Sequence, residues 1–159
     1  MINQTLKQSP ILPAVLRHPL RLTPGVLHNR LFITAVNYLF KQELKDDELD
    51  FLQDKIVAIK VADAGLDLRF SLKQKKLVSC HSRTVADLTI SGTTYDFLLL
   101  TSRREDPDTL FFNRRLKLAG DTELGLYVKN FLDSIDLTER WSLICKLSDR
   151  ASRLAEKLT

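Results

Sequence analysis

Between residues 24 and 44 apolar side chains fall at Leu27, Leu31, Phe32, Ala35, Val36, Leu39 and Phe40, the 3.6-residue spacing of one helix face. Thr23-Pro24 offers a hydroxyl cap followed by proline at the first helical position, so the pattern predicts one long helix from 24 to about 44. A short helix bearing Leu49, Phe51 and Leu52 follows, capped by Asp46 or Asp47. The period then changes to two. Residues 55–62 form a β-branched run suited to a buried strand, and Leu66-Asp67-Leu68-Arg69-Phe70-Ser71-Leu72 alternates strictly, placing four apolar side chains on one face. With Asp63-Ala64-Gly65 as the turn, the two runs predict a hairpin. Residues 76–80 and 86–91 extend the sheet, which Gly92 ends.

Past Thr93-Thr94 the helical pattern returns with Tyr95, Phe97, Leu98, Leu99 and Leu100, and residues 103–112 read as a loop with a short helical turn. Residues 115–119 alternate as a last strand and stop at Gly120-Asp121. Thr122 is placed to cap a helix whose stripe is Leu124, Tyr127, Val128, Phe131, Leu132 and Ile135. Thr138 with Glu139 opens a C-terminal helix carrying Leu143, Ile144, Leu147, Ala151, Leu154, Ala155 and Leu158. This order predicts an α+β fold, a largely antiparallel sheet covered on one side by helices. The 159 residues suit one core. We divide them into an arm (1–22), a domain (23–137) and a C-terminal amphipathic helix (138–159).

Charge changes the picture at one end. Residues 1–42 hold Lys7, Arg17, Arg21, Arg30 and Lys41 and no carboxylate, and the net charge of +4 arises there. Pro10, Pro13, Pro19 and Pro24 interrupt the same stretch and oppose a continuous helix. Basic residues interleaved with apolar ones suit an anionic lipid surface, with Arg17, Arg21 and Arg30 as headgroup contacts; the alternative is a basic tail whose apolar residues pack on the domain. The folded body has no basic stripe of the kind a nucleic-acid binder carries, so no nucleic-acid partner is expected. The apolar run at residues 11–16 is too short and too interrupted for a secretory signal. The uncharged run at 31–40 has half the length of a membrane span. The expectation is a cytoplasmic protein, peripheral at the inner face of the cytoplasmic membrane.

The residues for chemistry are sparse. Cys80 and Cys145 are far apart, and His18, His28 and His81 have no metal-ligand spacing. Cys80 and His81, neighbours on a predicted strand, point to opposite faces and form no dyad. Asp46, Asp47, Glu48 and Asp50 sit where caps and the helix dipole explain them. Asp106-Pro107-Asp108-Thr109 is turn chemistry, and no glycine-rich phosphate loop exists. The expectation is no enzyme, no metal and no cofactor. The apolar helix faces are ambiguous, since any α+β core has them.

A resemblance narrows this. The stretch Asp106-Pro107-Asp108-Thr109-Leu110-Phe111-Phe112-Asn113-Arg114-Arg115-Leu116, then Gly120-Asp121-Thr122-Glu123-Leu124-Gly125-Leu126-Tyr127-Val128-Lys129-Asn130, resembles the sterol-carrier-protein-type lipid-binding domains of bacterial ubiquinone biosynthesis accessory factors. The resemblance implies a five-stranded sheet with helices enclosing an apolar cavity that holds a lipid. It also implies a non-catalytic role in making ubiquinone, particularly by the oxygen-independent route. The implied partners are isoprenoid quinone intermediates or phospholipid, and iron–sulfur hydroxylase subunits that modify the ring. On this reading Phe97, Leu98, Phe111, Phe112, Leu124, Tyr127, Val128, Phe131 and Leu132 include the cavity lining. The rivals are a general lipid carrier and a protein-interaction module outside quinone biosynthesis.

Overall fold

The computed structural model describes residues 24–140 together with Ser142 and Lys146. Helix α1 spans Gly25–Leu39, α2 Lys41–Lys45, and a single 3-10 turn Asp50–Leu52. Strands β1 (Ile56–Val61), β2 (Leu66–Lys73), β3 (Lys76–Ser79) and β4 (Leu88–Gly92) come next. They are followed by α3 (Thr94–Thr101), α4 (Pro107–Phe112), β5 (Lys117–Gly120) and α5 (Thr122–Ser134).

The first long helix of the sequence reading is two helices. Phe40 leaves helical geometry (φ −103, ψ 23) while its N–H still bonds the Val36 carbonyl at 2.9 Å. The bend turns α2 so that Glu43 and Leu44 become buried. Pro24 takes the N-cap position, with no side-chain cap; its carbonyl accepts from the Leu27 N–H at 2.9 Å. The expected Thr23 cap lies outside the described residues. Neither Asp46 nor Asp47 caps the turn at 50–52, which Leu49 precedes. Asp47 instead adopts φ 63, and its carboxylate pairs with Lys75 at 2.7 Å.

The five strands lie in the order β3-β2-β1-β4-β5. β1–β2, β2–β3 and β4–β5 are antiparallel and β1–β4 is parallel. The predicted hairpin forms with Val57 opposite Phe70 and Ile59 opposite Leu68. The turn needs the left-handed backbone of Gly65 (φ 66). The period-2 pattern puts Val57, Phe70, Leu72, Leu77, Leu88 and Ile90 in one core with Ile33 of α1 and Leu124 and Val128 of α5. α1 lies over β2 and β3, and α5 over β4 and β5, so both helices cover the same face. On the other face, residues 80–87 carry the chain from β3 to β4. There the Arg69 guanidinium donates to the Thr84 carbonyl and pairs with Asp67 at 2.8 Å.

α1 is tied to the edge strand by two asparagines on its buried side. Asn29 Nδ2 donates to the carbonyls of Arg69 (2.9 Å) and Cys80 (3.3 Å) and to Ser79 Oγ (3.1 Å). Two turns on, Asn37 bonds both backbone groups of Leu77. With Ile33 between them they form an i, i+4, i+8 row facing the sheet.

Four further boundaries differ from expectation. The last strand begins at Lys117, not 115, because Arg115 is drawn to Asp96 (Nε to Oδ1, 2.8 Å) and Leu116 is buried in a second core. Asp121, not Thr122, caps α5, accepting from the Leu124 N–H at 3.0 Å. The chain is helical at residues 137–140, where Asp136, not Thr138, is the acceptor, taking the Thr138 N–H at 2.9 Å. Cys80 and His81 lie beyond the end of β3, not on it. Cys80 is half-buried and its thiol pKa is raised by that burial. The arm at 1–22, Cys145 and most of the predicted C-terminal helix lie outside the described residues.

Candidate functional site

The apolar interior is built of two clusters. The larger lies between the sheet, α1, the 3-10 turn and α5. The smaller, of Leu99, Leu100, Leu110 and Leu116, lies between α3, α4 and the lead into β5. Phe97, Phe111 and Leu132 pack against both and so join them. A row of rings crosses the helix layer. Phe40 meets Phe131 edge-on at 5.5 Å, Phe131 lies 6.2 Å from Phe51, and Phe51 stacks on Tyr127 at 5.8 Å. Contacts of this kind are worth about 0.5–1.5 kcal/mol each beyond burial.

The structure separates the nine residues nominated for the lining. Leu124 and Val128 are buried in the larger core, and Phe131 packs against it half-buried. Phe97, Phe111 and Leu132 hold the junction. Tyr127 sits at the rim, half exposed but stacked. Leu98 and Phe112 are on the surface, Phe112 at 87% exposure. Helical phase explains the last two: in each of the pairs Phe97-Leu98 and Phe111-Phe112 the first residue packs inward, and a step of 100° turns the second to solvent. Beside Phe112 an open groove of about 470 Å³ is lined by Asp108, Thr109, Phe111, Phe112 and Lys129. Lys129 and Asp108 pair across it at 2.5 Å, joining α5 to α4.

Polar residues that the sequence reading passed over hold this interior in place. Thr93 and Asp96 form a reciprocal cap at the start of α3: the Asp96 carboxylate accepts from Thr93 N (3.1 Å) and Oγ1 (2.6 Å), and Arg115 Nη2 lies 2.6 Å from it. Arg115 also lies 5.5 Å from the Tyr95 ring. Asp63, from the β1–β2 turn, accepts from Thr94 N at 2.8 Å and Oγ1 at 3.0 Å. The Thr93-to-Asp96 spacing, a hydroxyl followed three residues on by a carboxylate, was the signal for this cap. Arg103 donates to the carbonyls of Asp133 and Ile135. Arg140 donates to the Leu39 carbonyl at 2.9 Å, pairs with the buried Glu43 and stands 6.0 Å from the Phe40 ring. The Arg140 hydrogen bond holds the Glu43 carboxyl below its ordinary pKa, against the opposing effect of burial.

Of the three arginines expected at a membrane, Arg30 is exposed on α1; Arg17 and Arg21 lie outside the described residues. Among the described residues no helix is long and apolar enough to cross a membrane, and no three His, Cys, Asp or Glu side chains are grouped to hold a metal ion.

A five-stranded mixed sheet with helices over one face and a continuous apolar seam between them defines an open-sheet α+β module. The chain belongs to the SCP-2 sterol transfer family, whose model matches residues 34–133. It is 42% identical over 127 residues to the ubiquinone biosynthesis accessory factor UbiT of Escherichia coli K12, covering 80% of this chain and 72% of that one. Identity and coverage are the same for UbiT of Escherichia coli O157:H7. Among solved structures, the UbiJ-SCP2 ubiquinone synthesis protein shares the fold, with a TM-score of 0.56 at 18% identity, covering 74% of this chain and 96% of that one.

Proposed function

We propose that this chain is a non-catalytic lipid-binding accessory factor of ubiquinone biosynthesis, acting in the oxygen-independent route. It holds or presents polyprenylated intermediates, or membrane phospholipid, to the iron–sulfur hydroxylase subunits that modify the ring, from a peripheral position at the inner face of the cytoplasmic membrane. The observation that carries the reading is the 42% identity to a protein of that name across 80% of the chain. The family model, over residues 34–133, takes in α4, β5 and nearly all of α5, which frame the apolar seam. A prenyl tail is nearly insoluble, and moving it from water into an apolar site recovers about 25 cal/mol per Å².

In this proposal residues 23–137 are the lipid-binding unit, and residues 1–22 and 138–159 are appended to it. Phe97, Phe111, Phe131 and Leu132 contact the lipid, with Leu124 and Val128 behind them and Tyr127, Leu98 and Phe112 at the outer margin. The exposure of Phe112 favours one other reading, a protein-docking module, for an exposed aromatic is a common interface anchor.

The test is the ubiquinone content of a strain lacking the gene, grown with and without oxygen, together with an organic extract of the purified protein. Loss confined to the anaerobic culture, with lipid in the extract, is expected. Unchanged quinone in both cultures of a strain with no second carrier overturns the pathway, and a lipid-free extract overturns the carrier.

A further inference from the structure

The two edges of the sheet differ. On β3, Asn37 of α1 occupies both backbone groups of Leu77. On β5, every residue from Lys117 to Gly120 is exposed, and no backbone hydrogen bond runs from Leu118 or Gly120 to a described segment outside the sheet. The register fixes which groups of β5 are free. Leu88 faces Gly120 and Thr89 faces Ala119, and the Asp121 N–H bonds the Asp87 carbonyl at 2.8 Å. Bonding alternates along an antiparallel ladder, so Lys117, Ala119 and Asp121 turn their backbone groups toward β4, while Leu118 and Gly120 turn theirs outward. Charge is divided along the same edge. Arg114 and Lys117 are exposed at its start, and Glu123 is exposed just past its end, beside Asp121. Arg114, Lys117 and Glu123 form no ion pair with a described residue, and Asp121 makes one pair, with Lys55 at 3.7 Å.

We infer that β5 pairs antiparallel with the β5 of a second copy of this chain. The register that uses the outward groups of both copies sets Leu118 of each opposite Gly120 of the other, and each such pair exchanges both its N–H···O=C bonds. Ala119 then meets Ala119 at the two-fold axis, and Lys117 of each copy stands opposite Asp121 of the other at the sites where side chains come closest. A slip of two residues either way leaves one bonded pair in place of two. Parallel pairing would bring Lys117 against Lys117 and Glu123 against Glu123. The antiparallel pair instead lays the basic start of one edge along the acidic end of the other. A short edge strand with a lysine guards against foreign strands; here the lysine also meets a carboxylate in the second copy. The two-fold axis stands perpendicular to the sheet, so one sheet runs through both copies with both helix layers, and both apolar seams, on the same face. The inference concerns the free edge alone and stands whether or not the seam holds lipid.

The full-length protein is followed by analytical ultracentrifugation from about 1 μM to about 1 mM, the span in which weak association is read, because an edge this short buries less than the roughly 1,600 Å² of a standard interface. A reversible monomer–dimer equilibrium is expected, and the Leu118 and Gly120 amides should exchange hydrogen more slowly as the dimer forms. Lys117→Glu sets a carboxylate opposite Asp121 and should weaken dimerisation at least about tenfold. Leu118→Pro removes an outward N–H and leaves the bonds to β4 in place, with the same loss expected. Leu31→Glu, at an exposed position of α1 over the far side of the sheet, should dimerise as the wild type. Lys117→Glu changes only an exposed side chain and should keep the circular dichroism of the wild type, so it carries the test even if Leu118→Pro unfolds. A chain that stays monomeric at the highest concentration overturns the inference and leaves the edge to a strand of another protein. A dimer that Lys117→Glu leaves intact, or one in which the Leu118 and Gly120 amides stay unprotected, overturns it by placing the interface elsewhere.

Discussion

Asn37 grips both backbone groups of Leu77: its Nδ2 donates to the Leu77 carbonyl at 2.8 Å, and its Oδ1 accepts the Leu77 N–H at 2.9 Å. A side chain of α1 thus stands where a neighbouring strand would, on the outer strand of the sheet. Asn37→Ala strands two part-buried polar groups and should cost about 1–3 kcal/mol in urea denaturation. The Leu77 amide should exchange hydrogen faster in the same variant. Asn37→Asp keeps the acceptor but turns the donor into a carboxylate facing a carbonyl, so it should rescue little.

Gly120 joins β5 to α5 with φ 112, and a Cβ there would run into the carbonyl of Asp87. That carbonyl is fixed, because it accepts the Asp121 N–H at 2.8 Å. Gly120→Ala combines a strained backbone with a collision against main chain, and should lower stability by about 2–4 kcal/mol. Asp121→Ala removes the cap and an exposed pair with Lys55 at 3.7 Å, and should cost about 1 kcal/mol. A larger loss for the aspartate than for the glycine would show that the close approach at Asp87 is relaxed in solution.

Glu43 and Arg140 join segments 97 residues apart in sequence. The carboxyl is buried and its folded-state pKa lies below the ordinary value of 4.5. The pair therefore stabilises fully above that value, and its contribution is lost as pH falls through the depressed folded value. At pH 7 Arg140→Ala should cost about 2–3 kcal/mol, less than for a wholly buried pair because Arg140 is partly exposed. Denaturation of wild type and variant should converge as the pH drops below about 4.5. A constant gap across that range would assign the effect to Arg140 packing on Phe40.

Phe131 and Leu132 are adjacent on α5, one in the aromatic row and the other at the junction of the two clusters. Phe131→Asp or Leu132→Asp places a charge in the apolar seam. Either should reduce the lipid co-purifying with a folded protein by about tenfold or more, as read by mass spectrometry of extracts. Undiminished lipid in a folded variant would move the binding site elsewhere.

The elements with a clean period were legible in the sequence. The strict alternation at 66–72 gave the hairpin's second strand and its inward face, and the Leu124-to-Leu132 stripe gave α5. Caps slipped by one residue, Asp121 for Thr122 and Asp136 for Thr138, because Asp and Thr both accept an N–H and periodicity does not rank neighbours. The early end of the first helix was hidden, since Phe40 continues the apolar spacing while bending the chain to reach Phe131. Asn29 and Asn37 were passed over as polar residues among apolar ones, although their row with Ile33 was visible in the spacing. For the site, pattern alone gave the inward members of α5 but could not separate Phe111 from Phe112, whose difference depends on where α4 docks.

The parallel pairing of β1 with β4 has a consequence for assembly. Strands β1, β2 and β3 form a meander of neighbouring segments, so their pairing closes only short loops. β4 reaches β1 only after residues 80–87 have crossed the sheet, and that closure carries the larger entropic cost. Because α1 rides on the meander and α5 on the β4–β5 pair, the meeting of Phe40 with Phe131 depends on the β1–β4 pairing. The apolar seam is a joint between two halves of the sheet, each carrying its own helix.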